Sequence, residues 1–310
     1  MKSLETVIGP VKLRNPFILT SGVLGSTYST LNRAYREGFG AVTTKSFGLE
    51  PRSGYQNPTV IYLPEIKSVI NAVGLANPGC VKYSEELNAL DPGVKFIASV
   101  FGSSQEELVS VIECFEKHSS KEPVAYELNL SCPHARKAGM AVGTDPETVT
   151  GIVSGVKKAT KTPVWVKLTP NITNIIPIGE AAVSAGADAI VAINTVKAMI
   201  IDIRAKKPVL ANLRGGLSGK AIKPVGVRII YDLYERFGPE VPLVGIGGIS
   251  SWEDVIEYLL AGACAVQLGT ILTDYPSPGP LISELSKGLK EYLAREDCSL
   301  KELRGLAHEQ

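Results

Sequence analysis

The chain has 310 residues, 45% of them hydrophobic and 20% charged, a balance that supports a packed interior and excludes a mainly disordered polypeptide. Lys and Arg total 32 against 31 Asp and Glu, a formal charge of +1, so nothing points to a polyanionic partner and nucleic-acid binding is disfavoured. Five cysteines, at 80, 114, 132, 264 and 298, are scattered, odd in number and without a CxxC pair, which argues against a disulfide framework and against a zinc or iron–sulfur site within the chain.

In chain order, residues 4–13 read as a hairpin turned at Gly9-Pro10. Eight short apolar, β-branched runs follow, at 17–20, 41–44, 96–100, 125–130, 164–168, 189–193, 243–246 and 265–268. Each is apolar nearly throughout, as a parallel strand covered on both faces should be. The spacing predicts helices over 30–37, 104–117, 146–160, 175–185, 224–237, 251–261, 281–291 and 300–307. Ser104 with Glu107 has the spacing of a capping box, and Pro146 and Pro224 suit a first helical position. No apolar run is long enough to span a bilayer, and residues 1–16 carry no signal-peptide core. A cytoplasmic protein is expected.

Eight β/α repeats in this length fit one (β/α)₈ TIM barrel, which needs about 250 residues plus insertions. The expected architecture is therefore a single barrel domain over 1–310, with an N-terminal β-hairpin and insertions at about 51–79 and 195–223. Both insertions follow barrel strands, so both fall on the C-terminal face where such folds place their sites. An open doubly wound sheet is the rival, but Ser21-Gly22-Val23-Leu24-Gly25 is not its GxGxxG turn.

In a barrel the strand ends converge on one mouth. Gly247-Gly248 and Gly269-Thr270 end strands seven and eight, where a phosphate is held by backbone N–H groups; ordinary tight turns are the plainer alternative. Lys45 and Lys167 each end a strand among apolar residues. They read either as a structural ion pair at the mouth or as fixed positive charge beside a ring that gains electrons, such as a flavin. Asn129 and Asn194 offer donors and acceptors to an amide-rich planar ring, or cap turns. Cys80, Cys114, Cys264 and Cys298 read as small buried hydrophobes. Cys132 differs, because it follows a strand end and precedes Pro133 and a polar stretch, 134–143, with the character of a lid.

These residues sit in motifs that together resemble the class 1B dihydroorotate dehydrogenases over nearly the whole chain. The motifs are Thr44-Lys45-Ser46, Glu50-Pro51-Arg52, Ile70-Asn71-Ala72-Val73-Gly74-Leu75-Ala76-Asn77-Pro78-Gly79, Asn129-Leu130-Ser131-Cys132-Pro133, Gly143-Thr144-Asp145-Pro146, Val166-Lys167-Leu168-Thr169-Pro170-Asn171, Ile193-Asn194-Thr195 and Gly215-Gly216-Leu217-Ser218-Gly219. Each is short; their order and spacing make the resemblance specific.

The resemblance implies one FMN per chain across the mouth. It implies contacts from Ser21, Gly22, Lys45, Ser46, Asn129 and Lys167, a ribityl chain along Ile193 and Gly219, and a phosphate on Gly247, Gly248, Gly269 and Thr270. It implies a dihydroorotate bound by Lys45, Asn71, Asn129, Asn194 and Thr195, its carboxylate received by backbone around Ala72, Val73, Gly74 and Leu75. Cys132 is then the base for the C5 proton, with Lys45 beside it. The resemblance further implies a homodimer or heterotetramer with an electron-transfer subunit carrying FAD and a [2Fe–2S] cluster that reduces NAD⁺.

Two positions depart from the family pattern. His134 stands where many members have Asn and where dihydropyrimidine dehydrogenases have His, and Ser99 stands where Asn is frequent. A dihydrouracil- or dihydrothymine-oxidising flavoenzyme is thus the nearest alternative. More distant are a flavin-free barrel lyase or isomerase acting on a phosphorylated metabolite, and a non-catalytic binding subunit.

Overall fold

The structure is a computed structural model and describes residues 2–130 and 142–309. It begins with a hairpin, β1 (Thr6–Ile8) and β2 (Val11–Leu13), then β3 (Phe17–Leu19), α1 (Tyr28–Arg36) and β4 (Ala41–Thr43). Strands β5 (Val60–Leu63) and β6 (Ser68–Asn71) precede α2 (Cys80–Leu87), β7 (Phe96–Val100), α3 (Gln105–His118), β8 (Ala125–Asn129), α4 (Pro146–Ala159), β9 (Val164–Leu168), α5 (Ile176–Ser184) and β10 (Ala189–Ala192). Next come β11 (Val196–Ala198), β12 (Ile201–Asp202), β13 (Lys207–Pro208), β14 (Gly215–Gly219), α6 (Lys223–Phe237), β15 (Leu243–Ile246), α7 (Trp252–Leu260), β16 (Ala265–Leu268), α8 (Pro278–Arg295) and α9 (Leu300–Leu303).

Eight of these strands close into a barrel in the order β3-β4-β7-β8-β9-β10-β15-β16, every neighbouring pair parallel. They are the eight expected from the sequence, with ends differing by at most two residues. Outward side chains such as Phe96, Tyr126, Val166 and Ile190 pack against the helices. Inward side chains alternate with them. Ile18, Ile97, Trp165, Val191 and Val244 fill the lower interior together with Ile8, Val11 and Leu13 of the hairpin, which plugs the end of the barrel away from the mouth.

Local chemistry sets the helix ends. Thr27 caps α1 by accepting from Thr30 N, so the helix starts two residues before the predicted 30. Ser104 caps α3 by accepting from Glu107 N, whereas the Glu107 carboxylate bonds Ser103 N and Oγ, one residue short of a true capping box. Pro146 is the first residue of α4 and Pro224 the second of α6. The helix expected over 300–307 stops at Leu303, and Gly305, at φ +83°, separates it from a 3₁₀ turn. Conversely, α8 runs longer than 281–291.

The insertions are built structure. β5 and β6 from the first pair with β11 and β14 from the second in an antiparallel sheet of order β11-β14-β6-β5. Two segments distant in sequence thus form one wall above the barrel. Helix α2 was not expected; its short pattern lies directly after the Gly-rich turn at 79, and its buried face is Cys80, Tyr83, Ser84 and Leu87. No helix among the described residues is long and apolar enough to cross a membrane.

The hairpin plug should be energetically part of the barrel. Ile8 is fully buried, so Ile8→Ala is expected to cost about 3 kcal/mol, read as a lowered chemical-denaturation midpoint; an unchanged midpoint would show that the plug is dispensable.

Candidate functional site

Above the apolar plug the inward positions turn polar. Thr20, Ser99, Glu127, Lys167 and Gln267 face inward there, all buried, because each stands an even number of residues along its strand from an inward apolar residue. Over them opens a cavity of about 1250 Å³, walled on one side by the four-stranded insertion sheet.

The cavity gathers the residues singled out from the sequence. Ser21, Gly22, Lys45, Ser46, Asn129, Lys167, Ile193, Gly219, Gly247, Gly248, Gly269 and Thr270 all line it, as do Asn71, Ala72, Val73, Gly74, Leu75, Asn194 and Thr195. Cys132 and His134 lie outside the described residues, as does most of the 134–143 stretch. The residues flanking that stretch meet: Gly143 N donates to Leu130 O at 2.8 Å.

The two lysines, alike in sequence context, differ in the structure. Lys167 Nζ lies 3.2 Å from Glu127 Oε1, 3.2 Å from Gln267 Oε1 and 3.4 Å from Thr20 Oγ1. It therefore makes the ion pair that was one of its two readings, while still reaching the cavity floor. Lys45 has no ion-pair or hydrogen-bond partner for its ammonium among the described residues, and burial pushes its pKa below the ordinary lysine value. A half-buried cation without a counter-charge is costly on its own and favours an anion or an electron-rich ring beside it.

Polar side chains are linked across the strand ends. Ser46 Oγ bonds Ser21 Oγ (3.1 Å) and Ser99 Oγ (2.8 Å) and accepts from Asn129 Nδ2 (3.2 Å). Asn194 Nδ2 donates to Asn129 Oδ1 (3.2 Å) and Asn194 Oδ1 accepts from Thr195 N (2.8 Å). Asn71 Nδ2 donates to Gly216 O of β14 (3.3 Å), tying the two insertions together at the cavity wall.

Two sets of backbone donors are unspent. Among the described residues, the N–H groups of Val73, Gly74 and Leu75 have no acceptor, nor do those of Gly248, Gly269 and Thr270. Close packing fixes glycine at 248: φ is +69°, and a Cβ there would stand 2.6 Å from Lys223 N and 2.8 Å from Gly219 O. Gly74 is held likewise, at φ +75° with Tyr55 N 2.8 Å from where its Cβ would be. Both clusters are ready to receive anionic oxygens.

A family model for dihydroorotate dehydrogenase matches residues 3–293. The chain belongs to the dihydroorotate dehydrogenase family. Among its relatives is a protein of Methanocella arvoryzae, 50% identical over 301 residues, covering 97% of this chain and 96% of the relative. Another, from Methanocaldococcus jannaschii, is 45% identical over 313 residues, covering 99% and 98%. A third, from Pyrococcus abyssi, is 46% identical over 305 residues, covering 98% and 99%. All three are named dihydroorotate dehydrogenase B (NAD(+)), catalytic subunit.

Sequence reasoning did not single out Glu127, Gln267, Thr20 or Asn171. Asn171 Nδ2 donates to Thr195 O (2.9 Å) and its Oδ1 accepts from Lys197 N (2.7 Å), so it holds the strand-six exit in place. Glu127 and Gln267 were within reach, being two residues before Asn129 and Gly269 and so on the same face of their strands.

The burial of Lys45 makes a signed prediction. A lysine whose folded pKa lies below its unfolded one leaves the unfolded state binding more protons in the alkaline range, so its contribution to stability rises as pH climbs toward 10.5. Lys45→Met in flavin-free protein should abolish that rise, read as the wild-type-minus-variant difference in denaturation midpoint between about pH 8 and about pH 10. A pH-independent difference would mean that Lys45 is not electrostatically strained.

Proposed function

We propose that this chain is the FMN-bearing catalytic subunit that oxidises dihydroorotate to orotate in pyrimidine biosynthesis, in the cytoplasm. The observation that carries the reading is one cavity that brings together a lysine and two separate sets of backbone donors, none of them with a partner among the described residues, in a member of this family.

The residues present fit FMN. The donors at Gly248, Gly269 and Thr270, with Gly247 beside them, suit its phosphate, at the position where barrels commonly hold one. Ile193 and Gly219 line the path of the ribityl chain, and Ser21 and Gly22 offer backbone to the ring system. Lys45, Ser46, Asn129 and Lys167 supply the polar edge. When bound, FMN supplies the two-electron acceptor for the hydride lost from C6 of the substrate.

The chain's own groups do the rest. Asn71, Asn129, Asn194 and Thr195 present amide and hydroxyl groups to the pyrimidine's carbonyls and N–H groups. The donors of Val73, Gly74 and Leu75, with Ala72 beside them, receive the carboxylate, and Lys45 lowers the energy of negative charge on the bound ring. Cys132 takes the C5 proton as a thiolate. In the sequence it is three residues beyond Asn129, which lines the cavity. The dihydropyrimidine alternative is less favoured, because a uracil ring has no carboxylate for the 73–75 donors.

Electrons leave through a partner. The relatives' names specify a catalytic subunit and NAD⁺, which supports a second subunit; that it bears FAD and a [2Fe–2S] cluster, and that this chain forms a homodimer alone or a heterotetramer with it, follows from the family resemblance.

Anaerobic addition of dihydroorotate should bleach the flavin's visible band, and dihydrouracil should not; the reverse would transfer the assignment to dihydropyrimidines. Bleaching should quicken as pH rises toward the thiol's ordinary value of about 8.5. Cys132→Ala should slow it by about 10²- to 10⁴-fold without loss of orotate binding; an unaffected rate would remove Cys132 from the chemistry.

A further inference from the structure

Glu127 is fully buried and Lys167 is 5% exposed, both directly beneath the cavity. The Glu127 carboxylate has both oxygens engaged, Oε1 by Lys167 Nζ and Oε2 by Gln267 Nε2. Gln267 is itself fixed, because its Oε1 accepts from Thr20 Oγ1 (3.0 Å) and from Lys167 (3.2 Å), which leaves its amide nitrogen for Glu127. The four side chains come from β8 and β9 on one side of the barrel and from β16 and the end of β3 on the opposite side. The network thus spans the barrel, and the three N–H groups of Lys167 each have an acceptor within it. The floor under the cavity carries a compensated pair, whereas Lys45 at the rim has no counter-charge among the described residues.

We propose that Glu127 is a positioning residue for the reaction: it pins the Lys167 ammonium at the polar edge of the flavin site and offsets its charge, so that the flavin takes up electrons less readily than it would beside an unpaired lysine. This rests on the reading that the cavity holds FMN. Without Glu127, an unbalanced cation in a water-poor interior would favour the reduced, more negative coenzyme.

The test is the flavin midpoint potential of the FMN-loaded protein, followed by absorbance against reference dyes. Glu127→Gln keeps the side chain's size and its ability to accept from Lys167. It should raise the reduced-to-oxidised ratio at matched potential about tenfold, a midpoint about 30 mV more positive for a two-electron couple. Glu127→Asp, which keeps the charge, should stay nearer wild type. Should Glu127→Gln fail to fold, Lys167→Gln is compared with the Glu127→Gln/Lys167→Gln double variant, which leaves no buried charge. The double variant should be the more readily reduced, again about tenfold. Equal potentials in whichever comparison is made would overturn the proposal, with Glu127 reduced to a structural role. Wild-type protein that holds no FMN would instead sink the functional reading itself.

Discussion

A closed barrel of eight parallel strands sends every second side chain into a space that bulk water does not reach. Whatever stands there must be apolar or fully paired. The lower half is filled by the hairpin's Ile8, Val11 and Leu13 against Trp165 and its neighbours. The upper half is polar, and the Glu127–Lys167 ion pair with Gln267 and Thr20 makes that tolerable. Removing one member of such a pair leaves a buried charge alone, a penalty of about 3–5 kcal/mol. The network therefore both holds opposite walls of the barrel together and defines the floor on which a planar ligand would rest.

Above that floor the labour is divided by charge. Among the described residues, Lys45 has no partner for its ammonium and the glycine turns have N–H groups without acceptors. These are unfavourable features in a protein with no ligand and favourable ones in a protein that binds an anionic coenzyme and an anionic substrate. The insertions supply the missing wall. Pairing β6 with β14 puts Asn71 and the 73–75 turn opposite the strand ends that carry Asn129 and Asn194, so the site depends on contacts between segments about 150 residues apart in the chain.

Much of this was legible in the sequence, for definite reasons. The barrel strands are apolar on both faces and stand out as uninterrupted β-branched runs, and the helices are marked by caps and prolines. Strand ends could be assigned to one mouth because barrel topology leaves them no other place. The insertion sheet was not legible, since β5, β6, β11 and β14 are short, partly exposed and partnered across the chain. Helix α2 is only eight residues long and carries too little periodicity to declare itself. The distinction between Lys45 and Lys167 was also beyond reach. It depends on which acidic side chain faces inward on the adjacent strand, where Asn129 pairs with Lys167 and Glu127 with Trp165.

The central claim is that the phosphate of FMN lies on the glycine turns after β15 and β16 while an orotate carboxylate lies on the 73–75 turn. A crystal structure of the protein with both molecules tests it most directly. The account predicts phosphate oxygens within about 3 Å of the backbone nitrogens of Gly248 and Gly269, and carboxylate oxygens at the same range from Gly74 or Leu75. A flavin bound with its phosphate elsewhere, or an orotate whose carboxylate turns away from that loop, would contradict it.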